Sequence, residues 1–173
     1  MALASAYASF QHWEQNYDTH TSIVWARDHA DIPVFAVCIY LGFIFYVPGL
    51  LKKPMQLRRT WAYWNLLLSV FSIIGATRTV PHLVDTLRTK GFIFSLCAEP
   101  ESWYLRGKEG VWVSMFIFSK IPELIDTVFL VLQKKPVIFL HWFHHVTVLL
   151  YCWHAYISGK DLSPPFTRSH LLT

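Results

Sequence analysis

Four runs of apolar residues, separated by short polar stretches, dominate the pattern of the chain. The first, IPVFAVCIYLGFIFYVPGLL from Ile32 to Leu51, carries no charge, and about 20 apolar residues span a bilayer's hydrocarbon core as a helix. Pro33 suits its first turn, and Pro48 should bend or end its last. The second starts at Trp61, stays uncharged to Thr77 and continues past Arg78 to Val84. The third runs from Val111 to Leu132 and the fourth from Val137 to Ile157. The pattern predicts an all-α, polytopic integral membrane bundle with helices at about 32–51, 61–84, 111–132 and 137–157. It places a polar segment at 1–31 and a Pro-broken polar tail at 158–173.

Composition agrees. Of 173 residues, 54% are hydrophobic, 17% aromatic and only 15% charged, well under the roughly 25% charged of average soluble domains. The formal net charge of +4 does not indicate a nucleic-acid partner. The basic residues sit in two short clusters, Lys52, Lys53, Arg58, Arg59 and Lys134, Lys135, each wedged between apolar runs, whereas nucleic-acid binders spread them over a face. Such clusters set membrane orientation, and both loops are expected in the cytosol with the N-terminus lumenal. The connection from Asp85 to Gly110 balances its charges, and the tail is expected in the lumen. Residues 1–31 lack the basic start and apolar core of a cleavable signal peptide. The three cysteines, Cys38, Cys97 and Cys152, indicate neither a disulfide framework nor a zinc site.

Candidate chemistry lies inside the last two runs. Ionisable groups in a membrane helix are costly and mark buried or wet sites. In the third run, Lys120, Glu123, Asp126 and Thr127 fall within roughly a 120° arc at 100° per residue. Lys120 and Glu123 can pair at i, i+3, and Pro122 should kink the helix. A purely structural ion pair would explain two of these four groups. In the fourth run His141, His144 and His145 read H-x-x-H-H within roughly a 100° arc, with His154 on the opposite side. The short QKKP connection makes the two helices an antiparallel hairpin and brings Asp126 level with His141 and His144. Imidazoles at this spacing can bind iron or zinc. They can also act as base or nucleophile, oriented by a carboxylate such as Asp126 or Glu123. A metal-dependent lipid desaturase or hydroxylase would need more histidine boxes than the scattered remaining histidines supply.

KIPELIDT (Lys120–Thr127) resembles the K-x-x-E-L/F-x-D-T motif of the very-long-chain fatty acid elongases, and LHWFHHVTVLLY (Leu140–Tyr151) resembles that family's histidine box. FSIIGATRT (Phe71–Thr79) is similar to its branch acting on saturated and monounsaturated chains. The resemblance covers roughly residues 32–157. It implies an endoplasmic reticulum protein with seven membrane helices, four of them here. It implies an acyltransferase, a 3-oxoacyl-CoA synthase, that condenses acyl-CoA with malonyl-CoA and releases CO2 and CoA. By the same resemblance His144 carries the acyl group and His141 and His145 position it or exchange protons. Asp126 orients an imidazole, and Lys120, Glu123 and Thr127 shape the substrate site. No metal or organic cofactor is implied; the partners are the two CoA thioesters, the bilayer, other elongation-cycle enzymes or a second copy. Past Ile157 the resemblance stops: the N-x-x-x-H-x-x-M-Y-x-Y-Y segment, the last three helices and the C-terminal retrieval signal do not appear. The chain reads as a truncated product, so a non-catalytic membrane partner is the remaining alternative.

Overall fold

A computed structural model describes residues 2–98, 103–105 and 107–158; the polar tail predicted at 158–173 lies, from residue 159 on, outside them. The described residues form seven α-helices: α1 (Ala2–Gln15), α2 (Thr19–Asp28), α3 (Asp31–Leu50), α4 (Arg58–Cys97), α5 (Gly107–Ser119), α6 (Ile125–Leu132) and α7 (Phe139–Ser158). No strand occurs among the described residues.

Two helices, Asp31–Leu50 and Arg58–Ser95 within α4, are long and apolar enough to cross a membrane. Their outer faces are apolar too. Phe35, Ile39, Phe45 and Tyr46 on α3, and Tyr63, Leu66, Leu67 and Ile73 on α4, are all exposed. A patch this large on a protein in water would be an association surface; against lipid tails it costs nothing.

Helix α4 extends past the predicted end at Val84 to Cys97, over part of the connection expected from Asp85 onward. The pattern tracks where apolarity stops, but backbone hydrogen bonding does not require apolar side chains once the helix leaves hydrocarbon. From Arg58 to Lys90 it rises about 50 Å, against about 30 Å of hydrocarbon core. Arg58 and Arg59 can then reach one headgroup layer and Asp85, Arg88 and Lys90 the other. Gly91, at φ 83°, breaks the helix direction, a backbone conformation that favours glycine.

The third apolar run is two helices rather than one. Pro122 has no N–H, and around it the bonds shorten to i→i−3: Lys120 N–H donates to Ile117 O (3.2 Å), Ile121 to Phe118 (3.3 Å) and Leu124 to Ile121 (3.1 Å). A 3-10 turn, Pro122–Leu124, links α5 to α6.

Residues 1–31, read from sequence only as polar, contain α1 and α2. Asp18 caps α2, accepting from the backbone N–H of His20 (3.0 Å) and Thr21 (3.3 Å). The Thr21 hydroxyl also donates to it, and this bond holds the exposed Asp18 carboxyl below its ordinary pKa. Glu14 of α1 is buried, accepts from the Trp112 indole N–H (2.7 Å) and lies 3.6 Å from the Arg78 guanidinium. One carboxylate thereby pins α1 to α4 and α5. Gly110 permits α5 to meet α2, since a Cβ there would run into Thr19.

Two cores result. Ile23, Ala26, Leu105, Ile117, Trp153 and Tyr156 join α2, α5 and α7 at one end. Val37, Tyr40, Ile44, Leu124, Val131 and Leu149 join α3, α6 and α7 at the other. The Trp153 indole donates to Ala26 O (3.1 Å), and Ser114 and Tyr156 share a hydrogen bond (2.7 Å). At the second end the two basic loops lie together: Met55 N–H donates to Leu132 O (2.9 Å), and Lys135 sits over the Trp61 ring (4.4 Å).

Candidate active site

The histidine box occupies the first two turns of α7. His141 and His145 stand edge to face, ring centroids 4.7 Å apart, and His144 and His145 are 5.9 Å apart. The three imidazoles form one patch, but their surroundings differ. His141 Nε2 is 2.9 Å from the Thr127 hydroxyl, which in turn lies 2.9 Å from the Tyr40 hydroxyl. His145 is half-buried with its ring against Tyr40, centroids 6.3 Å apart. His144 is exposed.

Thr127 is the middle of this relay: it is 0% exposed and joins His141 to Tyr40. Asp126 has its Oδ1 buried without a hydrogen-bond partner, beside the Trp64 indole of α4 and within electrostatic reach of His141. The 3-10 turn interrupts the uniform 100° steps behind the 120° arc. Lys120 and Glu123 act on His145 of α7, Thr127 meets α3 and α7, and Asp126 lies beside Trp64 of α4 and within reach of His141 of α7.

The expected Lys120–Glu123 pair is present and bidentate: Lys120 Nζ donates to both carboxylate oxygens at 2.7 and 2.8 Å. Ser119 adds a third hydrogen bond to Glu123 (3.1 Å), and the ammonium also sits over the Phe116 ring (4.1 Å). These partners offset much of the cost of removing both charges from water. The pair lies within electrostatic reach of His145 and Cys152 on α7. Among the described residues no three His, Cys, Asp or Glu side chains are placed to hold a metal ion.

Tyr40, Trp64 and Ser119 escaped the sequence reading. Each is one polar atom on an apolar helix, and nothing in periodicity separates such an atom from a membrane-facing aromatic. The register of α3 against α6 brings Tyr40 to Thr127 and the approach of α4 brings Trp64 beside Asp126, while Ser119 reaches Glu123 four residues on.

A cavity of 510 Å³ opens between α4, α5 and α7. Phe71 and Gly75 of α4, Trp112 and Ile117 of α5, and Tyr151 and Cys152 of α7 are among its walls, which are mostly apolar. His144 and Tyr151 are seven residues apart and share a helix face. About 10 Å of helix therefore separates the exposed imidazole from the cavity's rim. An apolar cleft beside a few convergent polar groups is the usual form of a site for a largely apolar ligand.

The profile of the ELO: GNS1/SUR4 family matches residues 25–165. Fatty acid elongase 3 of Trypanosoma cruzi is 43% identical over 86% of this chain and 58% of its own length. Very long chain fatty acid elongase 6 of Gallus gallus is 40% identical over 87% and 56%. Putative fatty acid elongase 3 of Caenorhabditis elegans is 40% identical over 87% and 47%. The chain thus spans about half the length of the curated relatives it matches. No solved structure matches it. With most of its residues inside the family profile and its polar helix motifs assembled into one site, the chain belongs to the ELO (GNS1/SUR4) family of fatty acid elongases.

Proposed function

We propose that the chain carries the acyl-transfer half-site of a condensing enzyme that joins a fatty acyl-CoA to malonyl-CoA. The observation that carries this reading is the exposed His144 imidazole on the α7 face that leads to the apolar cavity. A thioester whose chain lies along that face brings its carbonyl to His144.

The chemistry follows from the groups present. A neutral His144 nitrogen attacks the thioester carbonyl, the C–S bond breaks, and CoA leaves as its thiolate, to be protonated. The product is an acyl-imidazole, a reactive amide because the ring does not share its lone pair freely with the carbonyl. Malonyl-CoA then loses CO2, and the electron pair of the broken C–C bond attacks the acyl carbon. The C–N bond to His144 breaks, giving 3-oxoacyl-CoA and the free imidazole. In this reading His145, its ring centroid 5.9 Å from that of His144, takes and returns the ring proton. His141 is a positioning residue, fixed by the Thr127–Tyr40 relay. Lys120 and Glu123 shape the wall facing α7, and the Lys120 ammonium can counter charge that develops on a carbonyl oxygen nearby.

Trapping tests this reading. In a chain completed to the relatives' length, incubation with labelled acyl-CoA without malonyl-CoA should leave label on the α7 peptide at His144. Hydroxylamine should release it. Label on a cysteine peptide alone would overturn the assignment.

The membrane arrangement is part of the same proposal. Helices α5 and α6 together rise about 32 Å and α7 about 30 Å, so with α3 and α4 they make four crossings. The two basic loops lie at one end of the bundle, cytosolic by the positive-inside rule, in the endoplasmic reticulum. Met55→Cys and Lys135→Cys should each label only from the cytosolic side of sealed microsomes. Labelling of either from the lumen would refute the four-crossing arrangement.

A further inference from the structure

Past the first cavity the bundle holds a second, of 260 Å³, reaching Leu83, His82 and Glu109. Thr79, Val80, Tyr104 and Val113 line both cavities. Three of these are short side chains on α4 and α5. Tyr104 is the one large group shared, and it comes from the connection between the two helices. Its ring stands edge-on to Trp103, centroids 4.8 Å apart at 78°. Burial holds the phenol above its ordinary pKa, with Tyr151 nearby adding to the effect, so the ring is uncharged between the two apolar volumes. The second cavity ends on polar groups. His82 Nε2 lies 2.7 Å from Trp103 O, His82 Nδ1 lies 3.7 Å from Glu109, and Lys108 lies 3.6 Å from the same carboxylate. An acyl terminus could not displace that cluster without leaving charges unpaired.

We propose that the Tyr104 ring is the stop that sets the length of acyl chain accepted. A chain entering from the His144 side fills the first cavity and ends against the ring; a longer one must displace it to use the second. This inference rests on the acyl reading of the first cavity.

The test reads both cavities separately in purified residues 1–173 in detergent, with Cys38 and Cys97 replaced by serine so that Cys152 reports the first. Leu83→Cys, made with Cys152 also replaced by serine, reports the second. Saturated acyl-CoAs of increasing length are the probes, and protection from maleimide is the signal. Apparent affinity at Cys152 should rise about fourfold per methylene up to a limiting length and then level off, with Leu83→Cys unprotected throughout. In Tyr104→Ala the limit should move to longer chains, and those chains should now protect Leu83→Cys. Protection of Cys152 by the shorter chains should persist, which shows that the first cavity is intact. Tyr104→Trp should move the limit to shorter chains, and Tyr104→Phe should leave it in place. An unchanged limit in Tyr104→Ala and Tyr104→Trp, or protection of Leu83→Cys with Tyr104 present, would overturn the stop. Failure of every chain to protect Cys152 would instead overturn the acyl reading of the first cavity.

Discussion

Replacing His144 by alanine in a chain completed to the relatives' length should lower condensation by at least about a thousandfold, the scale set by removing a nucleophile. The protein should stay as stable and as well inserted as before. The two expectations come from one fact: His144 is exposed and the structure gives its ring no hydrogen bond. Substitutions at such positions usually change stability by less than about 0.5 kcal/mol. His141→Ala makes the contrast. It removes one of the two partners of the buried Thr127 hydroxyl, Tyr40 keeping the other, and losing one such hydrogen bond costs about 0.5–1.5 kcal/mol. That variant should lose stability together with rate. His154, on the opposite face of α7, is also exposed, and His154→Ala should cost less than about twofold. Malonyl-dependent chain extension, measured beside a thermal unfolding curve for each variant, separates the three. Equal losses at His144 and His154 would remove the basis for placing the site on this face.

Much of this site is legible in the sequence, for a specific reason. An uninterrupted helix is a rigid ruler, so H-x-x-H-H on α7 fixes the relative positions of three imidazoles before any partner is known. The i, i+3 pairing of Lys120 with Glu123 survives even within the 3-10 turn, because residues three apart are adjacent in both kinds of helix. Asp126 and Thr127 lie beyond Pro122, where the ruler is broken, and their neighbours, Trp64, Tyr40 and His141, come from the packing. The sequence contains the proline but not the angle it imposes. The ends of the apolar runs were legible only as limits of hydrocarbon, which is why α4 continues to Cys97. Glu14 shows the opposite gap. In a polar segment a glutamate reads as solvated, and only the approach of Trp112 and Arg78 makes it a buried anchor.

Residues 1–173 by themselves should insert into a membrane and show no malonyl-dependent elongation of acyl-CoA. Insertion needs only apolar helices, and α3 and α4 supply them. Turnover needs a closed site. Within the apolar window of α4 no residue is buried, and on α7 Leu140, Phe143 and His144 are exposed together. The faces that should enclose the thioester therefore meet lipid or water. A polar group facing hydrocarbon without a partner costs several kcal/mol, so acyl-imidazole chemistry at His144 would proceed against that cost. Lipid would also compete for the cavity mouth beside Tyr151. The chain spans only about half the length of its relatives. The measurement is incorporation of labelled malonyl-CoA into 3-oxoacyl product by the purified chain in liposomes, beside a full-length relative as positive control. Product above the level seen with His144→Ala would show that the described helices already enclose the reaction, and that the open faces of α4 and α7 are where lipid, not protein, completes the wall.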